Sequence, residues 1–155
     1  MRVVFMCGPA GSGKSTVARR LDGEGFVRLS FDQEAWVRGI RRMPLDDDVH
    51  RDIEAGLQRR LLELIRDRSD VVLDFSFWSR AMRDQWRGLV AAHGLTPETV
   101  YLDTDRETCL KRVAARSGVD KDDFVLDGVT AEAHFDGFEP PTAEEGPLTV
   151  CTVSS

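Results

Sequence analysis

The sequence predicts an α/β protein built on a parallel sheet of five strands with helices on both faces. Apolar runs of strand length alternate with longer stretches whose apolar residues recur every three or four positions. The short runs are near-continuous in apolar residues, as in strands covered on both sides. A glycine-rich loop separates the first run from the first helical stretch, which marks a βα turn. The 155 residues, 41% of them hydrophobic, suit one domain over 1–155 with a substantial core.

Each element has its own signal. Arg2 to Cys7 (RVVFMC) is a β-branched apolar strand ending at Gly8, and Lys14 to Leu21 is a helix stopped near Asp22 and Gly23. Phe26 to Phe31 (FVRLSF) reads as the second strand, followed by a helix from Gln33 to Arg42 that Pro44 breaks. Asp46, Asp47 and Asp48 suit a helix start, where negative charge meets the positive end of the dipole. That helix carries Ile53, Leu57, Leu61 and Leu64 on one face and ends near Ser69. Asp70 to Phe75 holds the third strand, centred on VVL. Ser79 caps a helix bearing Met82, Trp86, Leu89 and Val90, with Gly94 past its end. Val100 to Leu102 centres a fourth strand, and Thr104 with Glu107 forms a capping box for a helix stopped by Gly118. A short helix is expected around Thr130 to Phe135, then a break at Pro140-Pro141 and a fifth strand, Leu148 to Val153.

Composition excludes several classes. No apolar run approaches the roughly 18–20 residues of a membrane span. Val3 to Cys7 is too short for a signal peptide and runs straight into glycine, so the expected compartment is cytoplasmic. Cys7, Cys109 and Cys151 are too few and too scattered for a disulfide framework or a zinc site. The net charge of -6 argues against a sequence-independent nucleic-acid binder. Nine acids and one lysine (Lys121) fall between 120 and 147, leaving 18 acids and 20 bases elsewhere, so the acidity belongs to one late segment.

Gly8-Pro9-Ala10-Gly11-Ser12-Gly13-Lys14-Ser15 fits G-x-x-x-x-G-K-[ST] in full, with Thr16 continuing into the helix. The glycines let the backbone turn its N–H groups inward. With the helix N-terminus, those donors cradle phosphate anions. Lys14 reaches the β- and γ-phosphates, and the Ser15 hydroxyl ligates Mg²⁺. ATP and Mg²⁺ are therefore the expected cofactors.

Other residues carry two readings each. Asp32 is a base for an attacking hydroxyl or a helix cap. Asp74, after Val71-Val72-Leu73, is a second magnesium-side acid or a strand-end acid bonded to a turn. Arg112 and Arg116, four apart on one helix face, bind nucleotide or pair with nearby acids. Arg80 and Arg83 meet an anionic substrate group or form surface salt bridges. Trp36, Phe75, Phe77 and Trp78 wall an acceptor site or pack in the core. His50, His93 and His134 follow no metal spacing and are expected at the surface or in packing.

The whole pattern resembles the small P-loop kinases. From Arg2 to about Ser117 it is similar to the 5′-kinase domain of phage-type polynucleotide kinase, chloramphenicol phosphotransferase and the zeta-toxin-like kinases. The resemblance implies a P-loop NTPase fold of the nucleotide-kinase type with a small lid, here 112–140. It implies that Asp32, in SFDQEAW, is the general base and that Asp74 opens a substrate-lining loop in LDFSFWSRAMRDQW. In LKRVAAR it implies that Arg112 stacks on adenine and Arg116 contacts phosphate. FEPPTAEEG resembles a late segment of many small P-loop kinases, which implies that Pro140 and Pro141 lie near the adenine. One departure matters: where phage-type polynucleotide kinases carry an arginine three residues after the base, this chain has Ala35, with Arg38 a turn further on. The chain also stops two residues after the fifth strand, without a closing helix.

The expected function is transfer of the γ-phosphoryl group of ATP to a hydroxyl of a small acceptor, such as an antibiotic, sugar or nucleoside. Residues 33–62 and Phe75 to Arg83 would bind that acceptor, with Trp36, Arg38, Phe75, Trp78 and Arg83 in contact. The alternatives are a polynucleotide 5′-hydroxyl kinase, for which only Arg38, Arg41, Arg42 and Arg83 offer a basic channel, and a nucleotide switch with no acceptor.

Overall fold

β1 (Val3–Cys7) is VVFMC with every residue buried, and a strand covered on both faces belongs inside a sheet. The computed structural model describes residues 1–41, 45–116 and 124–153. Its other strands are β2 (Val27–Leu29), β3 (Val71–Leu73), β4 (Glu98–Thr104) and β5 (Leu148–Val153). They lie in the order β2-β3-β1-β4-β5, all parallel, with Phe5 opposite Leu73 on one side and Met6 opposite Val100 on the other. The five-stranded parallel sheet expected from the sequence is the one observed. The chain fills the β3 side of β1 first and the β4 side later. This reversal opens a crevice beyond the carboxyl end of β1, where open α/β sheets bind ligands.

The helices are α1 (Lys14–Gly23), α2 (Phe31–Val37), α3 (Asp47–Arg66), α4 (Arg80–Ala91), α5 (Arg106–Ala114) and α6 (Gly128–Asp136). Side chains along a strand alternate faces, so β1 feeds two cores. Val3, Phe5 and Cys7 pack with Ile53, Leu57 and Leu61 of α3 and with Trp86 and Val90 of α4. Val4 and Met6 pack with Ala18 of α1, Phe26, Val72 and Leu102. The helical spacing read from the sequence for α3 is the face that is buried. Among the described residues, no helix is long and apolar enough to cross a membrane.

Three expectations need correction. The second strand stops at Leu29, because Ser30 is an N-cap whose side chain accepts from the Gln33 N–H at 3.2 Å. Phe31 and Asp32 are therefore the first residues of α2, which ends at Val37. The expected Thr104–Glu107 capping box does not form, since Thr104 is still in β4 and donates its hydroxyl to the Ser12 carbonyl at 2.8 Å. Asp105 caps α5 instead, accepting from the Thr108 N–H at 3.0 Å. A capping box forms later, between Thr142 and Glu145. Arg42, Pro44, Gly118, Lys121 and the 117–123 part of the expected lid, with its acids Asp120, Asp122 and Asp123, lie outside the described residues.

Candidate active site

The loop from Gly8 to Ser15 is shaped by its backbone. Gly11 has φ +81°, and a Cβ there would stand 2.4 Å from the Cys109 carbonyl oxygen, so the loop approaches α5 as only glycine allows. Gly13, at φ +102°, is the N-cap of α1, and the first turn of that helix holds Ser15 and Thr16. Its unpaired N–H groups are the anion donors expected of a helix start. The Ser12 N–H donates to the Pro9 carbonyl at 3.1 Å, and Arg112 Nη1 donates to the Gly11 carbonyl at 3.2 Å, bracing the loop from outside. Lys14 Nζ donates to the Pro9 carbonyl at 3.2 Å. Burial lowers the Lys14 pKa while Asp74 and Asp32 raise it and Arg116 lowers it, so those four charges share one neighbourhood. Burial also pushes the Cys7 thiol up to about 11, consistent with a core role.

Beside the loop stands an ion pair that sequence reading missed. Asp74 follows β3, and Arg28 of β2 donates to its Oδ2 from Nε at 3.1 Å and from Nη2 at 2.5 Å. Both side chains are 3% exposed. The Ser15 hydroxyl donates to the same oxygen at 3.2 Å. Oδ1 is buried and has no hydrogen-bond partner among the described residues. A buried carboxylate oxygen left unpartnered beside a loop hydroxyl is a donor set for a hard divalent cation. Ser15 and Asp74 therefore fit Mg²⁺. The signal for Arg28 was present in FVRLSF, a single charge inside an apolar strand.

A cavity of about 450 Å³ opens from this point. Ala10, Lys14, Ser15, Asp74 and Arg116 line one part of it. Asp32, Phe31, Asp47 and His50 line another, brought there by the starts of α2 and α3. Phe75, Trp78 and Met82 add an apolar wall, and Thr130 and His134, one turn apart on α6, close a further side. His50 also stacks on Phe31, with ring centroids 4.8 Å apart. Burial first, and then the charge of Lys14, pushes the His134 pKa down, so its imidazole is neutral near pH 7. Asp47, His50, Thr130 and His134 carried no residue-level signal for a site, because two helices distant in sequence, α3 and α6, bring them together. Ser30 caps α2, so Asp32 does not; Asp32 lines the cavity from the first turn of that helix.

Three expected acceptor contacts lie elsewhere. Arg83 is 1% exposed and buried beneath the site. It donates Nε to Glu145 at 2.7 Å, and Nη1 to the Phe77 carbonyl at 2.7 Å and the Glu139 carbonyl at 2.8 Å. It joins the 76–78 turn to the 139–145 segment and touches no part of the cavity. Arg38 is paired with Asp52 at 2.7 Å on the surface. Trp36 packs edge-on against Phe124, and the Arg41 guanidinium lies 3.5 Å above its ring centre. Phe77 is fully buried and stacked on Phe5, so of the four aromatics Phe75 and Trp78 face the cavity. Arg80 lies 3.8 Å from Asp84 at the exposed start of α4.

A parallel sheet with a glycine-rich phosphate loop after its central strand, a lysine and serine at the loop's end, and an acid on the neighbouring strand defines a P-loop nucleotide-binding protein of the kinase type. The chain belongs to the AAA_33 family, described as an AAA domain, which matches residues 3–141. It is 34% identical over 126 residues to the cytidylate kinase of Ignicoccus hospitalis, covering 77% of this chain and 67% of that one. It is 28% identical over 163 aligned positions to the probable gluconokinase of Schizosaccharomyces pombe, covering 99% and 80%. Its fold superposes on a chain of the Pnkp1/Rnl/Hen1 RNA repair complex with a TM-score of 0.74 at 16% identity, over 88% of this chain and 43% of that chain. The resemblance to small P-loop kinases therefore stands at the level of family and fold.

Proposed function

We propose that the protein transfers the γ-phosphoryl group of ATP to a hydroxyl of a small-molecule acceptor. One observation carries this reading. The loop lysine, the Ser15–Asp74 pair, Arg116 and a second carboxylate, Asp32, open into one cavity of about 450 Å³. That volume lies in the usual range for small-ligand sites. Of the four arginines that the polynucleotide alternative offered for a basic channel, the three described ones are engaged elsewhere: Arg38 with Asp52, Arg41 with Trp36 and Arg83 with Glu145. This supports a small acceptor over a polynucleotide end.

In this mechanism the loop N–H groups and the α1 N-terminus hold the phosphates. Lys14 and Arg116 neutralise charge on the transferred group, and Arg112 keeps the loop in shape through the Gly11 carbonyl. Mg²⁺, when bound, neutralises phosphate oxygens, and Ser15 with Asp74 would hold it. Asp32 accepts the hydrogen bond of the acceptor hydroxyl, aligns it and takes its proton as the new P–O bond forms. Residues of the 124–136 segment, His134 among them, exclude water from the cavity.

The test is Asp32→Asn. Phosphoryl transfer falls by roughly 10²-fold or more, the scale of general-base loss, while calorimetry still registers ATP binding. Lys14→Ala weakens both. Unchanged turnover in Asp32→Asn removes that residue from its role. ATP hydrolysis that no alcohol accelerates favours the switch reading instead.

A further inference from the structure

Three successive carbonyls between β3 and α4 are each held by a different part of the chain. The Ser76 carbonyl accepts from the N–H of Gly8, the first residue of the phosphate loop, at 3.1 Å. The Phe77 carbonyl accepts from Arg83 Nη1 of α4 at 2.7 Å and from the Cys7 thiol at 3.6 Å. The Trp78 carbonyl accepts from the Glu139 N–H at 2.8 Å. Phe77, in the middle, has φ +49°, a left-handed conformation that a bulky residue keeps only where its surroundings hold it. With that twist the Phe77 ring lies in the core against Phe5, while Ser76 and Trp78 on either side line the cavity.

Arg83 ties these holds together. The Nη1 that meets the Phe77 carbonyl also donates to the Glu139 carbonyl at 2.8 Å, and Nε donates to Glu145 Oε1 at 2.7 Å. One buried guanidinium therefore fixes the Phe77 carbonyl and also Glu139, whose N–H holds the next carbonyl along. Glu145 is itself held by Arg87 Nη2 at 3.1 Å and by the Thr142 N–H at 2.8 Å. A planar fork of donors meets several acceptors at set angles, which a single ammonium does not. Exchanging both partners of a buried ion pair for apolar residues is often neutral for stability. What the fork supplies in particular is the place of the 76–78 turn.

We infer that Arg83 is a positioning residue for the acceptor: seated on Glu145, it fixes the Phe77 carbonyl and so the turn that brings Ser76 and Trp78 to the cavity. This rests on the phosphotransferase reading above and deepens it. Arg83 acts from beneath the site and touches no substrate.

The experiment compares full-length wild type, Arg83→Met and Arg83→Met/Glu145→Leu, each carrying 5-fluorotryptophan, with the Trp78 fluorine resonance assigned through Trp78→Phe. The double variant leaves neither charge of the pair alone, since Arg87 keeps Asp84, and it decides the matter should the single variant not fold. Its Tm is expected near that of wild type. Its Trp78 resonance is nevertheless expected to be displaced or broadened, with Trp36, packed against Phe124 and Arg41, unmoved. Mg·ATP affinity in calorimetry is expected to stay at the wild-type level, because the phosphate donors belong to the loop. ADP release is then measured with glucose, myo-inositol, glucosamine, gluconate, uridine and cytidine 5′-monophosphate. For the probe that accelerates it, kcat/KM is expected to fall about 10²-fold, the scale of a misplacement of about 1 Å, with KM for ATP unchanged. A Trp78 resonance left in place by the double variant, or an acceptor kcat/KM that it retains, overturns the inference. So does a loss of ATP affinity as large as that of Lys14→Ala, which would assign Arg83 to the phosphate loop. Failure of wild type to bind Mg·ATP, or ADP release that no probe accelerates, overturns the phosphotransferase reading itself and the acceptor role of Arg83 with it.

Discussion

Replacing Arg28 by methionine tests whether the site's metal-side acid depends on a buried partner. Both side chains of the Arg28–Asp74 pair are 3% exposed, and two guanidinium N–H groups meet Oδ2. Without them, Oδ2 keeps the Ser15 hydroxyl and Oδ1 stays unpartnered, so a nearly unsatisfied charge remains in the interior. Breaking a buried pair in this way costs about 3–5 kcal/mol. For a domain of this size each kcal/mol shifts Tm by about 2–4 °C, so Arg28→Met should lower it by roughly 6–20 °C. Asp74→Asn should also destabilise, because it removes the negative charge that faces the buried guanidinium. The double variant Arg28→Met/Asp74→Leu removes both charges and should recover most of the loss, giving a coupling energy of at least about 2 kcal/mol. Urea unfolding followed by tryptophan fluorescence reads this directly, since Trp86 is fully buried against Phe75. Additive single variants, or a cost below about 1 kcal/mol for Arg28→Met, would mean that solvent screens the pair, and the account of Asp74 would fail.

Gly11→Ala should abolish ATP binding in calorimetry and cost more than about 1 kcal/mol of stability, because φ is +81° and the new Cβ would stand 2.4 Å from the Cys109 carbonyl. Glu145 gives an acid-sensitive stability. Burial pushes its carboxyl up, but the bonds from Arg83, the Thr142 N–H and Arg87 outweigh burial and hold it at about 2, from an ordinary 4.5. A carboxyl depressed in the folded state stabilises fully above its unfolded value, so this contribution should fade as pH drops from about 4.5 towards 2. Glu145→Gln should destabilise at pH 7 and flatten the pH dependence of Tm in that window; an unchanged slope would exclude the Arg83–Glu145 pair as its source.

Local patterning made the sheet, α3, α4 and the phosphate loop legible. Ile53, Leu57, Leu61 and Leu64 share a face at any tertiary arrangement, and the phosphate donors of Gly8 to Ser15 are contiguous main-chain groups. Boundaries were less legible where two residues competed for one task. Ser30 and Asp32 are both good caps, and Thr104 and Asp105 are too; in each pair the choice went to the residue whose rival had another position to fill. Thr104 is held by the Ser12 carbonyl across the sheet, and Asp32 lines the cavity.

The chain's own order of residues determined that a phosphate-binding turn follows a buried strand, because that motif is contiguous and its chemistry is largely main-chain. Partnerships between distant segments were decided only by the tertiary structure. Arg83 looked like a substrate contact and is a buried strut to Glu145, while Arg28, given no role in the sequence, is the partner of Asp74. A charged side chain carries no record of which opposite charge will be beside it once water is removed. Packing sets that, by bringing β2 next to β3 and the 139–145 segment under α4.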